Sequence, residues 1–495
     1  MKNIFKVTYS IALLTMLVLS SCLKKDLGNY KPDDVKNLEI NSSLKDVYLA
    51  NVGEVLSFDA TSPSADNQNL TYKWYYYPAT SGSTVARKEV GSEAKLALNI
   101  NMATGDYFLV AEVTNTKTGV KGYKKITLNV KRLTSEGWLL LTWKDNKTNL
   151  SIVTSANEIL KDFLQPSAEY PITAKPEKLI CNNDNDVKYQ PIVIKTAEPN
   201  LYFLDHNTFE IHNDARYAFA SGANLNLTNY AWDTYGQFFY MWDSNGLVYK
   251  ISRGSQVIDF PTGFNQPMLG NYKAAKFVLP VTSGFPVPAV LFDEQAKRFL
   301  YHNYSGNELL PFQAKPANAP FDVSNFQDEI RFTDLGAGDL TYVVGKNAAG
   351  EHRLYTLTLN NGLNVYPATA VDKLDIPANG SPVAFALSGK LPLLYYIVNN
   401  ALYVYKMGEK RSTFLYTFPS DETVVALNML RGSVWLNTTI NPAVENRLGI
   451  ATNNAQGGVF YTFDLSATGV LKTGKFNSRD DGFDPIVDIA YKMKK

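Results

Sequence analysis

Past its first thirty residues the chain is written in short apolar runs separated by Gly, Asn, Asp and Pro. Gly53-Glu54-Val55-Leu56-Ser57-Phe58-Asp59-Ala60 sets apolar residues against polar or small ones, the period of a half-buried strand. In Leu70–Tyr75 the same period puts Tyr72 and Trp74 on one face. Gly105–Asn115 reads as a third strand, and Tyr123–Val130 as a fourth after a Lys-Thr-Gly turn. Two packed sheets need one large aromatic between them, and Trp74 is the residue placed to fill that space. The run Tyr75-Tyr76-Tyr77 must turn at least one ring outward if the strand is regular.

From Gly137 the runs change character and repeat. The fullest unit is Pro382–Leu387, then Leu391–Val398, then Ala401–Met407. Related runs begin at Trp138, Leu201, Phe238, Ala289, Leu340 and Ser433. Seven copies thus start mostly 37 to 52 residues apart, after a first interval of 63. Periods of about 40 to 50 residues with several short strands each signal a propeller blade. Trp138 opens on the middle strand of a unit, while Pro485–Tyr491 resembles a first strand with nothing after it. Pairing that last strand into the first blade completes both and hides two strand edges. With no amphipathic helix of three or more turns in sight, the expected fold class is all-β. A β-sandwich over 41–132 precedes a β-propeller over 137–495 closed by the C-terminal strand, with seven blades favoured and six or eight open.

The start of the chain follows another pattern. Lys2 and Lys6 precede an apolar run from Ile11 to Leu19, and Leu19-Ser20-Ser21-Cys22 follows. This is the layout of a secretory signal, and its ending resembles a bacterial lipobox. The run is short for a bilayer span. That resemblance implies a signal peptide over 1–21, a lipid on Cys22 and a polar tether over 22–40.

Charge and cysteine content narrow the function. Without residues 1–21, which carry Lys2 and Lys6 and no acid, 46 basic residues face 47 acidic ones. So even a balance gives no footprint for nucleic acid and no polybasic membrane patch, so membrane attachment must come from the lipid. Once Cys22 is lipidated only Cys181 remains, which rules out an intrachain disulfide. Cys181 has no basic cluster or helix start around it and reads as an inert thiol. Four histidines, at 206, 212, 302 and 352, leave little material for a metal site, and no cofactor is expected.

No catalytic motif stands out: there is no nucleophile elbow, zinc-protease helix motif or phosphate loop. Asp205-His206 pairs an acid with an imidazole, but strand neighbours point to opposite faces and Asn207-Thr208 suggests a turn. Asn182-x-Asp184-x-Asp186 has the spacing of a calcium loop, yet Val187 stands where glycine is needed and Lys188 has the wrong sign. Trp232-Asp233 and Trp242-Asp243 lie near turn residues, where Trp232 and Trp242 are candidate stacking surfaces for a ligand. Packing between blades is the alternative for both.

Two stretches carry a family resemblance. Asp26-Leu27-Gly28-Asn29-Tyr30 resembles the opening of the PKD-like lipoproteins of Bacteroidota, and Cys22-Leu23-Lys24-Lys25-Asp26 partly resembles a surface-export signal. The set Phe58-Asp59-Ala60, Tyr72-Lys73-Trp74 and Gly105–Asn115 resembles a PKD or immunoglobulin-like module. The resemblance implies a non-enzymatic lipoprotein of the outer membrane, facing the cell surface, with a periplasm-facing orientation as the alternative. It further implies an accessory role beside SusC/SusD-type TonB-dependent importers, capturing or presenting oligopeptides or oligosaccharides. The other readings are a propeller hydrolase or lyase acting on polysaccharide or peptide, and a purely structural docking subunit.

Overall fold

The computed structural model describes residues 38–493 apart from 42, 53, 64–68, 80–86, 103–104, 132–135, 155, 165, 167–168, 182–191, 198–199, 207, 215–226, 234–237, 253–265, 282–285, 360–364, 378–379 and 430–445. Cys22, the Asn182–Asp186 loop and the Ser433–Leu436 run lie outside the described residues. The protein divides into two compact units, 1–132 and 133–495. Both are all-β, with no α-helix among the described residues. None of the described segments is a helix long and apolar enough to cross a membrane.

The first unit is the sandwich. It holds β1 (Val47–Asn51), β2 (Val55–Asp59), β3 (Leu70–Pro78), β4 (Lys88–Gly91), β5 (Lys95–Asn99), β6 (Gly105–Asn115) and β7 (Lys121–Lys131). Five of them form one sheet in the order β1-β7-β6-β3-β4, and β2 pairs with β5 in the other. Trp74 is fully buried between the sheets among Phe58, Leu96, Leu109 and Ile126. Its indole N–H donates to the Glu93 carbonyl at 2.9 Å, so the ring is enclosed without an orphaned donor. Period two sends Tyr72 and Tyr76 inward with it. Tyr75 and Tyr77 stack on the opposite face with ring centroids 6.4 Å apart, and the Arg87 guanidinium lies 4.9 Å over Tyr75.

The second unit is the propeller, and its described strands form seven antiparallel sheets. The first contains β8 (Gly137–Lys144), β9 (Lys147–Val153) and β10 (Ile159–Leu160). The second has β11 (Pro176–Ile180), β12 (Ile192–Thr196), β13 (Leu201–Leu204) and β14 (Ile211–Asp214). The third has β15 (Leu227–Trp232), β16 (Phe238–Asp243) and β17 (Val248–Ser252), and the fourth β18 (Ala289–Asp293), β19 (Arg298–His302) and β20 (Leu309–Pro311). The fifth runs β21 (Glu329–Gly336), β22 (Leu340–Lys346), β23 (His352–Leu357) and β24 (Ala368–Lys373). The sixth runs β25 (Ala384–Leu387), β26 (Leu393–Val398), β27 (Ala401–Lys406) and β28 (Arg411–Thr417). The seventh runs β29 (Thr423–Met429), β30 (Arg447–Asn454), β31 (Gly457–Asp464) and β32 (Ser478–Phe483). The last strand, β33 (Ile486–Lys492), returns to the first sheet and pairs antiparallel with β8, from Ile486 opposite Thr142 to Lys492 opposite Gly137.

Each sheet buries both faces. Leu139 and Ile152 of the first sheet meet Ile192 and Leu204 of the second. Phe203 of the second meets Tyr230 and Phe239 of the third. Similar clusters join the third to the fourth, the fourth to the fifth and so on around, until Ala451 and Phe460 of the seventh pack against Trp138 and Ile489 of the first. A strand buried on both faces has no reason to alternate, and this is why the propeller runs are apolar throughout. Five first strands, but not β25 of the sixth sheet, carry the same irregularity. The register slips by one residue between Pro176 and Lys178, Leu227 and Asn229, Ile330 and Phe332, Val424 and Ala426, and Ile486 and Asp488. A bulge of this kind increases local twist. On β33 it turns Asp488 so that one carboxylate oxygen accepts the Leu179 N–H of β11 at 2.9 Å. Asn428 of β29 in turn donates to the Ile489 carbonyl at 3.2 Å, so first strands of neighbouring sheets are stitched by side chains.

Two repeat positions read from sequence shift in the structure. Leu201–Leu204 is the third strand of its sheet, and the second is Ile192–Thr196. In the seventh sheet the second strand is Arg447–Asn454, downstream of the Ser433 run. Second strands therefore start at 137, 192, 238, 289, 340, 393 and 447, which are 46 to 55 residues apart. The long first interval disappears.

Candidate functional site

The strand-ending Trp-Asp pairs build turns and interfaces. The Asp243 carboxylate accepts the Asn245 and Leu247 amides, both at 2.9 Å, and Asp233 accepts the Phe238 amide at 2.7 Å. Asp293, after Phe292, does the same for Gln295 and Ala296. These carboxylates are buried and spent on backbone donors that the turns would otherwise orphan. Trp242 is 0% exposed and packs with Tyr240, Val248 and Leu291 between the third and fourth sheets. It offers no ring face to a ligand, so of its two expected roles packing is the one its burial supports. Trp232 is half-buried on the other side of the same sheet, against Tyr230 and Phe239. The two indoles are thus separated by the sheet and form no common surface.

The other sequence candidates are also structural. Asp205 accepts the Thr208 amide at 2.6 Å, closing the turn between β13 and β14, with His206 buried inside it. Cys181 is half-buried beside the cluster between the first and second sheets. Among the described residues no group of His, Cys, Asp and Glu is arranged to hold a metal ion.

Titratable side chains do converge at the rim of the third–fourth interface. Tyr240 on β16 and Lys250 on β17 are cross-strand partners, so they share a face of the third sheet. His302 ends β19 and projects from the fourth sheet to meet them. Its Nδ1 lies 2.8 Å from the Tyr240 hydroxyl, and its Nε2 lies 3.0 Å from Lys250 Nζ. Nζ also donates to the Gly306 carbonyl in the turn after β19 and sits 5.3 Å over the Phe238 ring. Tyr240 and His302 are fully buried, whereas Lys250 is half-exposed and is the only one of the three that solvent reaches. Burial holds His302 down to about 3 from an ordinary 6.5. Burial likewise lowers the Lys250 amine and pushes the Tyr240 hydroxyl far up. Half-exposed Tyr304 packs edge-on against Phe238 and completes the rim.

Sequence reasoning missed this cluster because Lys250 and His302 are 52 residues apart and only sheet packing joins them. A readable signal did exist. His302 terminates the run Phe299-Leu300-Tyr301, which is an unusual place for one of four histidines.

With the geometry in place, comparison adds a partial family match. Residues 22–176 match the model of a PKD-like family. The match begins at Cys22, takes in the sandwich and continues through β8, β9 and β10 to the first residue of β11. No curated protein matches the chain. Among solved structures, a quinonprotein alcohol dehydrogenase-like protein of Bacteroides thetaiotaomicron is 12% identical with a TM-score of 0.46, over 92% of this chain and all of that one. The WD40 domain of SCAP from fission yeast is 11% identical with a TM-score of 0.35, over 64% of this chain and 75% of that one. An extracellular domain of a one-component system of B. thetaiotaomicron is 10% identical with a TM-score of 0.37, over 66% of this chain and 36% of that one.

Proposed function

We propose that the protein is a lipid-anchored surface lipoprotein of the outer membrane that captures or presents oligomeric nutrients, peptide or glycan, for a SusC/SusD-type importer. One observation carries the anchoring part: the PKD-like family match starts at Cys22, the residue expected to bear the lipid. In this reading the sandwich is a spacer and the propeller is the binding body, with no catalysis of its own. Weak affinity suffices, because tethering raises the local concentration of whatever is held. The rim around Lys250, Phe238 and Tyr304 is the contact surface this reading favours, since it joins a half-exposed amine to aromatic rings.

The test is a pull-down of the lipidated protein from detergent-solubilised outer membrane, with mass spectrometry of partners and bound oligomers. A TonB-dependent transporter should co-purify under mild extraction, and its absence there removes the importer reading. Cys22→Ala should leave both units folded by circular dichroism while releasing the protein from membranes. Normal uptake by cells carrying only the released form would make the tether incidental.

The Tyr240, His302 and Lys250 arrangement favours a second reading, in which the propeller acts on polysaccharide or peptide as a hydrolase or lyase. A purified sample that cleaves a panel of such polymers, and loses cleavage in Lys250→Met, would replace capture with catalysis.

A further inference from the structure

Three interfaces between propeller sheets bury a tyrosine hydroxyl that donates to a carboxylate. Tyr355 donates to Asp328 at 2.6 Å, Tyr461 to Glu422 at 2.8 Å and Tyr491 to Glu136 at 2.9 Å. An arginine accompanies each: Arg353, Arg479 and Arg447 respectively. The third–fourth interface departs from this pattern. Its tyrosine meets the imidazole of His302 and its basic side chain is Lys250, which pairs with no carboxylate among the described residues.

Counting protons decides the state of that amine. If Lys250 is an ammonium, it must donate to Nε2, which forces the imidazole proton onto Nδ1 and makes Tyr240 the acceptor there. The buried Tyr240 O–H then has no acceptor among the described residues, and the ammonium has no carboxylate partner among them either, with solvent left to offset its charge. If Lys250 is a free amine, every group is satisfied. Tyr240 donates to Nδ1, the Nε2 proton points to the Nζ lone pair and to the Gly306 carbonyl at 3.3 Å, and Nζ donates to the same carbonyl. The charged arrangement leaves two defects and the neutral one leaves none. Burial acts in the same direction on both the lysine and the histidine.

We infer that Lys250 is held as a free amine by the His302–Tyr240 relay and is a covalent attachment site for aldehydes. The amine nitrogen adds to the aldehyde carbon to form a C–N bond. Both amine protons and the carbonyl oxygen then leave as water, giving an imine. Aldehydes are the matching electrophile because a free amine adds to their carbonyl directly, the first amine proton passing to the oxygen and the second leaving with that hydroxyl as water through the solvent that reaches Nζ. The site lies on the rim that the capture reading favours, but imine formation is read without any importer or nutrient present and so stands or falls independently of that reading.

The probe is glycolaldehyde with cyanoborohydride at pH 7, which reduces any imine to a stable adduct, followed by peptide mass spectrometry of every lysine in the full-length protein. Each unit by which an amine's pKa falls raises its free fraction about tenfold at neutral pH. Lys250 should therefore be modified at least about tenfold faster than Lys88 or Lys95, which stand exposed on the sandwich. His302→Phe should abolish the preference while circular dichroism still reports folded protein. If that variant fails to fold, Tyr240→Phe serves, since losing the donor to Nδ1 lets the imidazole accept from an ammonium. Reaction of Lys250 at or below the rate of the exposed lysines in the wild-type protein overturns the inference. So does a preference that survives both substitutions.

Discussion

The third–fourth and sixth–seventh sheet interfaces are built from similar parts and reach opposite electrostatic ends. At the sixth–seventh interface the buried Glu422 carboxylate accepts from Tyr461 at 2.8 Å, from Thr452 at 2.6 Å and from Arg479 at 3.0 Å. Arg479 also donates to the Tyr461 hydroxyl and to Asp481, so its guanidinium is almost used up. The buried carboxylate is matched by a guanidinium and every named polar group has a partner, which makes the cluster a staple. At the third–fourth interface a neutral imidazole replaces the carboxylate, and the basic group that reaches it is a lysine amine with no carboxylate partner among the described residues. The comparison teaches that a buried ionisable cluster is a strong candidate for chemistry when its charges do not close. Convergence alone does not distinguish the two.

The largest expected effect breaks the staple. Glu422→Ala strands a partly buried guanidinium and two hydroxyls, and should cost about 3 kcal/mol in denaturant unfolding. A loss well under 1 kcal/mol would mean the two interfaces do not differ in the way described. The next effect is pH dependence. His302 is held near 3 in the fold and returns to 6.5 when unfolded, so between these values the unfolded chain binds the extra proton. Its contribution is intact above pH 6.5 and is lost as the pH falls towards 3, by a few kcal/mol in total. His302→Asn should flatten that limb of the stability–pH curve. Lys250, lowered from 10.5, has the same sign, so its side of the curve gains stability as pH rises to that value. Tyr461 is raised above 10 by burial and by Glu422, and therefore costs stability once the pH passes 10. The smallest effect is the most discriminating. Lys250→Met removes a poorly compensated amine and should change stability by less than about 1 kcal/mol, in either direction.

Legibility in the sequence followed exposure. Sandwich strands with one wet face alternate, and β2, β3, β6 and β7 could be read within a few residues. Trp74 was legible as the inter-sheet filler for the same reason. β1, β4 and β5 went unread although β5 alternates cleanly, since Lys95–Asn99 carries no aromatic to draw attention to it. In the propeller both faces of each sheet are buried, so Ile192–Thr196 and Leu201–Leu204 look alike and the wrong one was counted as the second strand. The repeat survived that slip because its period spans whole sheets. Trp242 followed by Asp243 reads first as packing between blades and second as a site. Only the fold shows the ring enclosed and the carboxylate tied to turn amides. The Lys250 half of the cluster was illegible, because in Val248–Ser252 a lysine between apolar residues reads as an outward-facing strand position, and only His302 at the end of an apolar run gave a signal.

The ionisation state of Lys250 is the central point, and it is directly measurable. Nitrogen-15 NMR of protein labelled at lysine side chains, recorded from pH 6 to 11 alongside Lys250→Met for assignment, reads each amine separately. The account predicts one Nζ resonance that titrates below all the others and is absent from the Lys250→Met spectrum. Titration of Lys250 together with the exposed lysines near 10.5 would contradict it.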